Sequence, residues 1–271
     1  LCCAVVFSVS VFVGLDRGIR VLSDLNAWLA IGLIVFILCA GDTLFIIKMG
    51  TSSIGYVLQN FIRMNFWTDP VMKTGFVEDW TVFYWAWWIA YAPFVGLFVA
   101  RISRGRTIRE VVLGMLLGGT AGAWIFFIIL GNYALSLELT QSLPVLQMLD
   151  EAGAPATIIA VISSLPAAKW ALGVFCLVAL LYLATTFDSA AYTIAAGASR
   201  NLGPTGDPDR LHRSFWALAV AALPLALMAI GGLQSLRTAS LVASVPLLFV
   251  GVLLAVSLSR SLAQEEPKTE K

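Results

Sequence analysis

Charged residues are scarce in this sequence of 271 residues: 12% are Asp, Glu, Lys or Arg, and 59% are hydrophobic. Soluble domains carry about twice that share of charge. The net charge is +1 and no basic patch lies outside the predicted loops, which argues against a nucleic-acid partner. The composition therefore indicates an integral membrane protein.

Cysteine and histidine are also rare. The four cysteines all lie within apolar stretches: Cys2, Cys3, Cys39 and Cys176. The single His212 falls in a predicted loop, and no cysteine has metal-ligand spacing to it, so the cysteines are interpreted as packing residues. A membrane-embedded enzyme would need paired acids or a metal cluster. Only Asp42 and Asp188 are acids within apolar spans, and they lie on separate spans, so catalysis is disfavoured.

Apolar runs of about 20 residues predict membrane-spanning helices. Seven are predicted, the first as the tail of a truncated helix: residues 1–14, 27–47, 80–100, 111–135, 168–199, 215–230 and 238–258. Residues 51–66 are too short and polar to span, and their helical apolar spacing predicts an amphipathic surface helix. Residues 141–165 are predicted to form external loops with a short surface helix. In the span at 111–135, the small residues at 118–123 favour close helix packing over an unwound ion site.

The basic residues predict the orientation of these spans. If the span at 80–100 runs inward, residues 15–26, 101–109, 200–213 and the C-terminus lie inside. These regions hold 12 of the 17 lysines and arginines. The bias follows the positive-inside rule and predicts a cytoplasmic C-terminus.

The span at 80–100 is rich in aromatic residues: Trp80, Tyr84, Trp85, Trp87, Trp88, Tyr91, Phe94 and Phe98. Several repeat at helical spacing, so they form stripes along the helix. Trp near a span end can form an interfacial belt, but Tyr91 and Phe94 lie deeper. A quaternary ammonium has no N–H donor, and ring faces hold it at about 0.5–2 kcal/mol each. The alternative is a Trp-rich packing helix kinked at Pro93, whose ring leaves the carbonyl of Ile89 without its helical partner.

Two further spans carry polar groups. Thr185, Thr186 and Asp188 lie at mid-depth of the span at 168–199, where hydroxyl and carboxylate oxygens suit a hard cation. The alternative for each threonine is a hydroxyl bonded back to a carbonyl one turn earlier. Asp188 has no such local partner and needs a partner elsewhere, a water-filled path or protonation. Asp42, near the end of its span, is interpreted as reaching the interface.

The aromatic span resembles the characteristic helix of the betaine/choline/carnitine transporter (BCCT) family. The resemblance rests on the run Trp85-Ala86-Trp87-Trp88, then Ala92-Pro93-Phe94-Val95-Gly96, then Ala100-Arg101-Ile102-Ser103-Arg104-Gly105-Arg106-Thr107-Ile108-Arg109-Glu110. A match of this length is very specific, and the other spans fit the family in order. The chain resembles the later half of the family's sequences.

The resemblance implies an all-α membrane protein with a LeuT-like fold of two inverted five-helix repeats and a site between them. Residues 1–47 would hold the last helices of the first repeat, and residues 48–79 an external amphipathic helix and loop. Residues 80–258 would form the complete second repeat, and residues 259–271 a cytoplasmic tail.

The resemblance also implies roles for individual residues. Trp88 and Tyr91 would face the trimethylammonium group, Trp87 and Trp85 would line the access path, and Phe94 would lie near a sodium site. Thr185 and Thr186 match a hydroxyl pair of the second sodium site, with Asp188 on the ion path. Many sodium-coupled betaine carriers have Trp at the position of Tyr91, and Pro is common at that of Asp42. Tyr91 in place of Trp leaves the choice of substrate open.

The function implied is secondary transport of glycine betaine, choline or carnitine across the bacterial inner membrane, with sodium as the coupling ion and no cofactor. The alternative is an ion-independent carnitine or choline exchanger. The absence of Lys or Arg at mid-depth of any span favours sodium coupling. The short tail gives little support to an osmotic sensor. Members of this family commonly form homotrimers, so the resemblance also implies a homotrimer.

Overall fold

The computed structural model describes residues 15–103, 105–200 and 208–265, and these are almost wholly helical. The α-helices are α1 (Leu15–Ala40), α2 (Thr43–Gln59), α3 (Phe61–Phe66), α4 (Phe83–Ile102), α5 (Ile108–Phe126), α6 (Asn132–Leu139), α7 (Val145–Ser163), α8 (Ala168–Ala198) and α9 (Arg210–Glu265). Two π-helical segments, Val77–Val82 and Phe127–Gly131, lead into α4 and join α5 to α6. The all-α prediction is confirmed over these residues. The truncated span predicted at 1–14 lies outside them.

Within the described residues, six stretches are long and apolar enough to cross a membrane: Leu22–Ala40, Val77–Ala100, Ile108–Leu139, Val145–Ser163, Ala168–Ala198 and Gln234–Gln264. Leu211–Leu227 is a shorter apolar helix. Large apolar side chains along these stretches are exposed, which would be costly in water and is expected in lipid. The chain is a multi-pass membrane protein.

The break between α1 and α2 corrects the prediction of a span over residues 27–47. The first helix ends at Ala40, and Asp42 is the N-cap of α2, where its carboxylate accepts a hydrogen bond from the backbone N–H of Phe45 (3.1 Å). An aspartate is favoured there because it satisfies a backbone donor that the helix leaves free. Gly41 is needed because a Cβ would lie 2.6 Å from the Tyr133 ring. The predicted surface helix therefore begins at Thr43.

Residues 141–165 also differ from their prediction. In place of loops with a short helix, α7 runs over Val145–Ser163 and is interrupted at Gly153, which has a left-handed φ of 79°. The helix α9 is interrupted in the same way at Gly232, with φ of 63°. At about 1.5 Å per residue its 56 residues would extend about 84 Å, far more than a bilayer core. The interruption at Gly232 matches the two spans predicted on either side of it. By contrast, the small residues at 118–123 remain helical within α5.

The chain divides into two compact units. The first comprises Leu1–Phe66 and Gly105–Asp188, and the second Trp67–Arg104 and Ser189–Lys271. The core of the first unit includes Ile37 on α1, Ile46 on α2 and Tyr133 on α6. The Tyr133 hydroxyl bonds the Ser164 hydroxyl at the end of α7 (2.8 Å), so a polar contact fixes this core as well as apolar packing.

In the second unit, α4 packs against α9. An apolar cavity of about 540 Å³ lies between them and is lined on α4 by Ile89, Ala92, Pro93, Gly96 and Leu97. The residues on the α9 side are Leu247, Leu248, Gly251, Val252, Leu254 and Ala255. Small residues on both helices allow a close approach. The kink residue Pro93 thus belongs to the packing face of α4.

Candidate aromatic and ion-binding sites

A ladder of aromatic rings runs from the loop before α4 into the helix. Its successive centroids are 5.8–6.4 Å apart through Trp67, Phe76, Trp80, Tyr84, Trp87 and Trp88. Phe83 joins it from the side and stacks on Trp87 at 6.2 Å. These separations are typical of attractive ring pairs. Trp67, at the start of the ladder, lies outside the predicted stripe.

The loop that brings Trp67 to the ladder is closed by Asp69. Its carboxylate accepts hydrogen bonds from the Thr74 hydroxyl (2.6 Å) and the Thr74 backbone N–H (2.8 Å). These bonds, the side-chain bond first, lower the pKa of Asp69 below its usual value. Asp69 has a left-handed backbone (φ 47°), a conformation that aspartate tolerates better than most residues.

The aromatic face of α4 is not the face that packs on α9. Successive helical residues are rotated by about 100°, so Trp88 and Tyr91 lie roughly 140° and 160° around the helix from Pro93. Trp88 is 62% exposed and Trp87 46% exposed. Packing against α9 therefore does not explain these rings, and the packing-helix alternative accounts for only one side of α4.

The predicted substrate residues differ in their contacts. Tyr91 contacts Phe94, with ring centroids 5.1 Å apart, and both side chains are half-buried. Trp87 and Trp88 belong to the ladder. Trp85 is 62% exposed and, within the described ranges, takes part in none of the ring contacts. The structure thus brings together Trp87 with Trp88 and Tyr91 with Phe94.

The threonine pair lies on α8, in the first unit. The Thr185 hydroxyl donates to the carbonyls of Leu181 (3.0 Å) and Tyr182 (3.1 Å), and the Thr186 hydroxyl donates to that of Tyr182 (2.8 Å). The back-bonding alternative is therefore present. It does not remove the ion-binding capacity, because a hydroxyl that donates its proton keeps its lone pairs for a cation.

A cavity of about 670 Å³ in the first unit reaches Thr185. It is lined by Ser23, Asn26, Ala27, Ala30, Phe126, Phe175, Val178, Ala179, Tyr182 and Thr185. Asn26 is 9% exposed, and its Oδ1 is buried without a hydrogen-bond partner. A buried acceptor of this kind needs a donor or a cation. Asn26 was not predicted from the sequence, where a single amide near the start of a span is not distinctive.

Asp188 lies on α8 three residues after Thr185 and is 3% exposed. Asp188 has an interaction partner, which is what we inferred that a carboxyl group inside an apolar span needs. The aromatic face belongs to the second unit, and Thr185, Thr186 and Asp188 belong to the first. Phe94 lies with the aromatic group.

The family of betaine/carnitine/choline transporters (BCCT) matches residues 1–267. The chain belongs to the BCCT family. Among its relatives, it is 38% identical over 246 residues to the "Uncharacterized transporter YeaV" of Escherichia coli K12, covering 90% of this chain and 51% of that protein.

A second relative of this BCCT chain is the "Carnitine transporter" of Acinetobacter baumannii. The two are 34% identical over 269 residues, which cover 99% of this chain and 49% of that protein. The chain therefore spans about half the length of the curated relatives it matches. Both relatives are named as transporters, which are not enzymes. The predicted family membership is confirmed.

Proposed function

We propose that this BCCT chain takes part in secondary active transport of a solute that carries a quaternary ammonium group. The observation that carries the proposal is the aromatic face of α4, where Trp87 and Trp88 are exposed on the side away from α9. Ring faces attract a cation that has no hydrogen to donate. The A. baumannii relative is named for carnitine, a solute of this class.

Within this proposal, Trp88 and Tyr91 contact the trimethylammonium group, and Trp87 and Trp85 line the path to it. Trp67, Phe76 and Trp80 extend that path outward, because their rings continue the ladder from Trp87. Each ring face attracts a cation, so a cation that moves along the ladder can pass from one ring to the next and remain beside a ring throughout.

Sodium is the proposed coupling ion. The cavity at Thr185 supports this proposal because it offers the oxygens that hard cations prefer: the hydroxyls of Thr185 and Ser23 and the unpaired Oδ1 of Asn26. Thr186 and Asp188 extend the set along α8. An ion-independent exchanger would need a substitute charge, and the residues that line this cavity include no lysine or arginine.

The wider arrangement follows the family. We propose that the chain folds in the LeuT-like pattern, with residues 80–258 as the second repeat, in the bacterial inner membrane. The C-terminus is cytoplasmic by the distribution of basic residues. Assembly into homotrimers is part of the same proposal.

The test is uptake of labelled carnitine and glycine betaine into proteoliposomes that contain the full-length gene product, with and without an inward sodium gradient. Trp88→Ala is expected to raise the KM at least ten-fold, and Thr186→Val to abolish the sodium dependence. Trp170→Ala, an exposed tryptophan on α8, is the control for the first. Thr51→Val is the control for the second, because the exposed hydroxyl of Thr51 on α2 makes the same kind of bond, to the carbonyl of Ile47.

Two results would contradict the proposal. Uptake that is equal with and without sodium would assign the protein to the exchangers. No uptake of either solute, or of choline, by the native protein would remove the substrate class.

A further inference from the structure

Arg237 places a fixed positive charge beside the aromatic ladder. Its guanidinium carbon lies 5.2 Å from the centroid of the Phe83 ring, and Phe83 stacks on Trp87 at 6.2 Å with an interplanar angle of 21°. The guanidinium carbon therefore lies no more than 11.4 Å from the Trp87 centroid, by addition of these two distances. All three residues belong to the second unit.

This arginine is unusual in its surroundings. It is half-buried in the candidate span Gln234–Gln264, where the only other lysine or arginine is Arg260 near the opposite end. Among the described residues, no carboxylate forms an ion pair with Arg237, and its ring contact is with Phe83. Arg237 is the fourth residue of this stretch, so its charge lies near the end of the span, where it is less costly than at mid-span, and beside the rings of the proposed path.

A contact with Phe83 alone would make Arg237 a link between α9 and α4. The contact between the guanidinium and the phenyl ring supplies that link. This contact uses the face of the guanidinium, and it leaves the fork of N–H donors at the guanidinium edge free. That fork matches a carboxylate, which it binds with two parallel hydrogen bonds. A cation that has only to hold two helices together does not require such a fork.

We propose that Arg237 is a specificity-determining residue on the access path, where it binds the carboxylate of a zwitterionic substrate while the ring of Trp87 binds its quaternary ammonium on the way to Trp88 and Tyr91. The proposal rests on the proposed function and narrows its substrate class. Zwitterions such as carnitine and glycine betaine satisfy both the rings and the guanidinium. Choline has no carboxylate, and its positive charge is repelled by Arg237.

The dimensions allow one molecule to reach both groups. A cation can lie up to about 6 Å from a ring centroid, and a charge-assisted N–H···O contact adds about 2.9 Å. With Arg237 and Trp87 at most 11.4 Å apart, these two contacts leave about 2.5 Å to be spanned between the ammonium and the carboxylate, and glycine betaine and carnitine are both long enough for this. Phe83 contacts both Arg237 and Trp87 and so links the two binding groups.

The experiment compares the KM and kcat of the full-length protein for carnitine, glycine betaine and choline, in the native form and as Arg237→Gln and Arg237→Lys. In Arg237→Gln, the KM for both zwitterions should rise about ten-fold or more, equivalent to about 1.4 kcal/mol. The KM for choline should stay the same or fall, and kcat should change little. Arg237→Lys should restore part of the zwitterion preference, because it retains the charge but not the fork.

Arg260→Gln, on the same helix and exposed, is the control and should leave all ratios unchanged. If Arg237 only links the two helices, Arg237→Gln should lower the melting temperature and change the KM for all three solutes equally. That outcome would overturn the inference. A native preference for choline would also overturn it. If the native protein takes up none of the three, the proposed function fails and this inference fails with it. An unchanged ratio in an active Arg237→Gln variant defeats the inference alone.

Discussion

The buried amide of Asn26 provides a test that separates stability from ion coupling. Its Oδ1 has no hydrogen-bond partner, and an unsatisfied buried acceptor costs about 1–3 kcal/mol. Leucine has a similar shape and no polar atom. Asn26→Leu is therefore expected to raise the free energy of unfolding in potassium medium by up to about 1–3 kcal/mol.

The same substitution should weaken the response to sodium. An ion that binds only the folded state adds RT ln(1 + [Na⁺]/Kd), or about 2.7 kcal/mol at one hundred times Kd. If Asn26 contributes a ligand in the cavity at Thr185, Asn26→Leu loses much of this increment. A variant that is more stable in potassium and less responsive to sodium is not expected from a purely structural residue.

The measurement is thermal unfolding of the full-length protein in lipid nanodiscs, in NaCl and in KCl of equal ionic strength. Asn65→Leu is the control, because Asn65 is an exposed asparagine whose amide bonds the Phe61 carbonyl on α3. It should leave the sodium increment unchanged. The reasoning is refuted if Asn26→Leu is less stable than the native protein in potassium and keeps the full sodium increment.

Two further predictions concern structure outside the proposed sites. Gly41→Ala should lower the free energy of unfolding by about 1–3 kcal/mol, because the new methyl group would overlap the buried Tyr133 ring. Thermal unfolding measures this loss. If the overlap is the cause, adding Tyr133→Leu to Gly41→Ala should recover part of the lost stability. The loop closed by Asp69 should open in acid: the pKa of Asp69 is lowered on folding, so its contribution is complete above the unfolded pKa of about 3.9 and is lost as the pH falls through the lower folded value. Hydrogen exchange at residues 68–75 between pH 6 and 3 measures this, and protection that is independent of pH would contradict it.

The sequence predicted the helices best where the apolar runs were long and uninterrupted. The runs that became α4, α5 and α8 needed no other information, because only helices satisfy their own backbone in lipid. The two segments around Gly232 were also separated correctly. In each case the local pattern and the membrane favour the same structure.

The errors arose where an apolar run contained a helix boundary. Residues 41–47 continue the hydrophobic pattern of α1, but Asp42 begins a new helix, and that role depends on Gly41 meeting Tyr133 from a distant part of the chain. In residues 141–165, two prolines and two acids suggested loops, but the single left-handed residue Gly153 accommodates Pro155 between two helical segments. Neither outcome follows from periodicity.

The sites were predictable only in part. Helical spacing predicted an aromatic stripe on α4 and the back-bonds of Thr185 and Thr186, because both depend on neighbours within one helix. The extension of the ladder to Trp67 depends on the loop that Asp69 closes. Asn26 and Arg237 stand out only because of neighbouring residues on other helices. No local sequence pattern indicates those neighbours.

The two faces of α4 show why binding and packing can vary independently in this chain. Pro93 and Gly96 face α9, where small side chains let the helices approach. Trp88 and Tyr91 face away, so in the proposed site a change of ring there would alter the partner of a cation without opening the contact with α9. Pro93 leaves the carbonyl of Ile89 on the packing side without its helical donor, and the aromatic side does not have to satisfy it. A substrate site on one face of a helix that is held by the other can change its solute while the fold is retained.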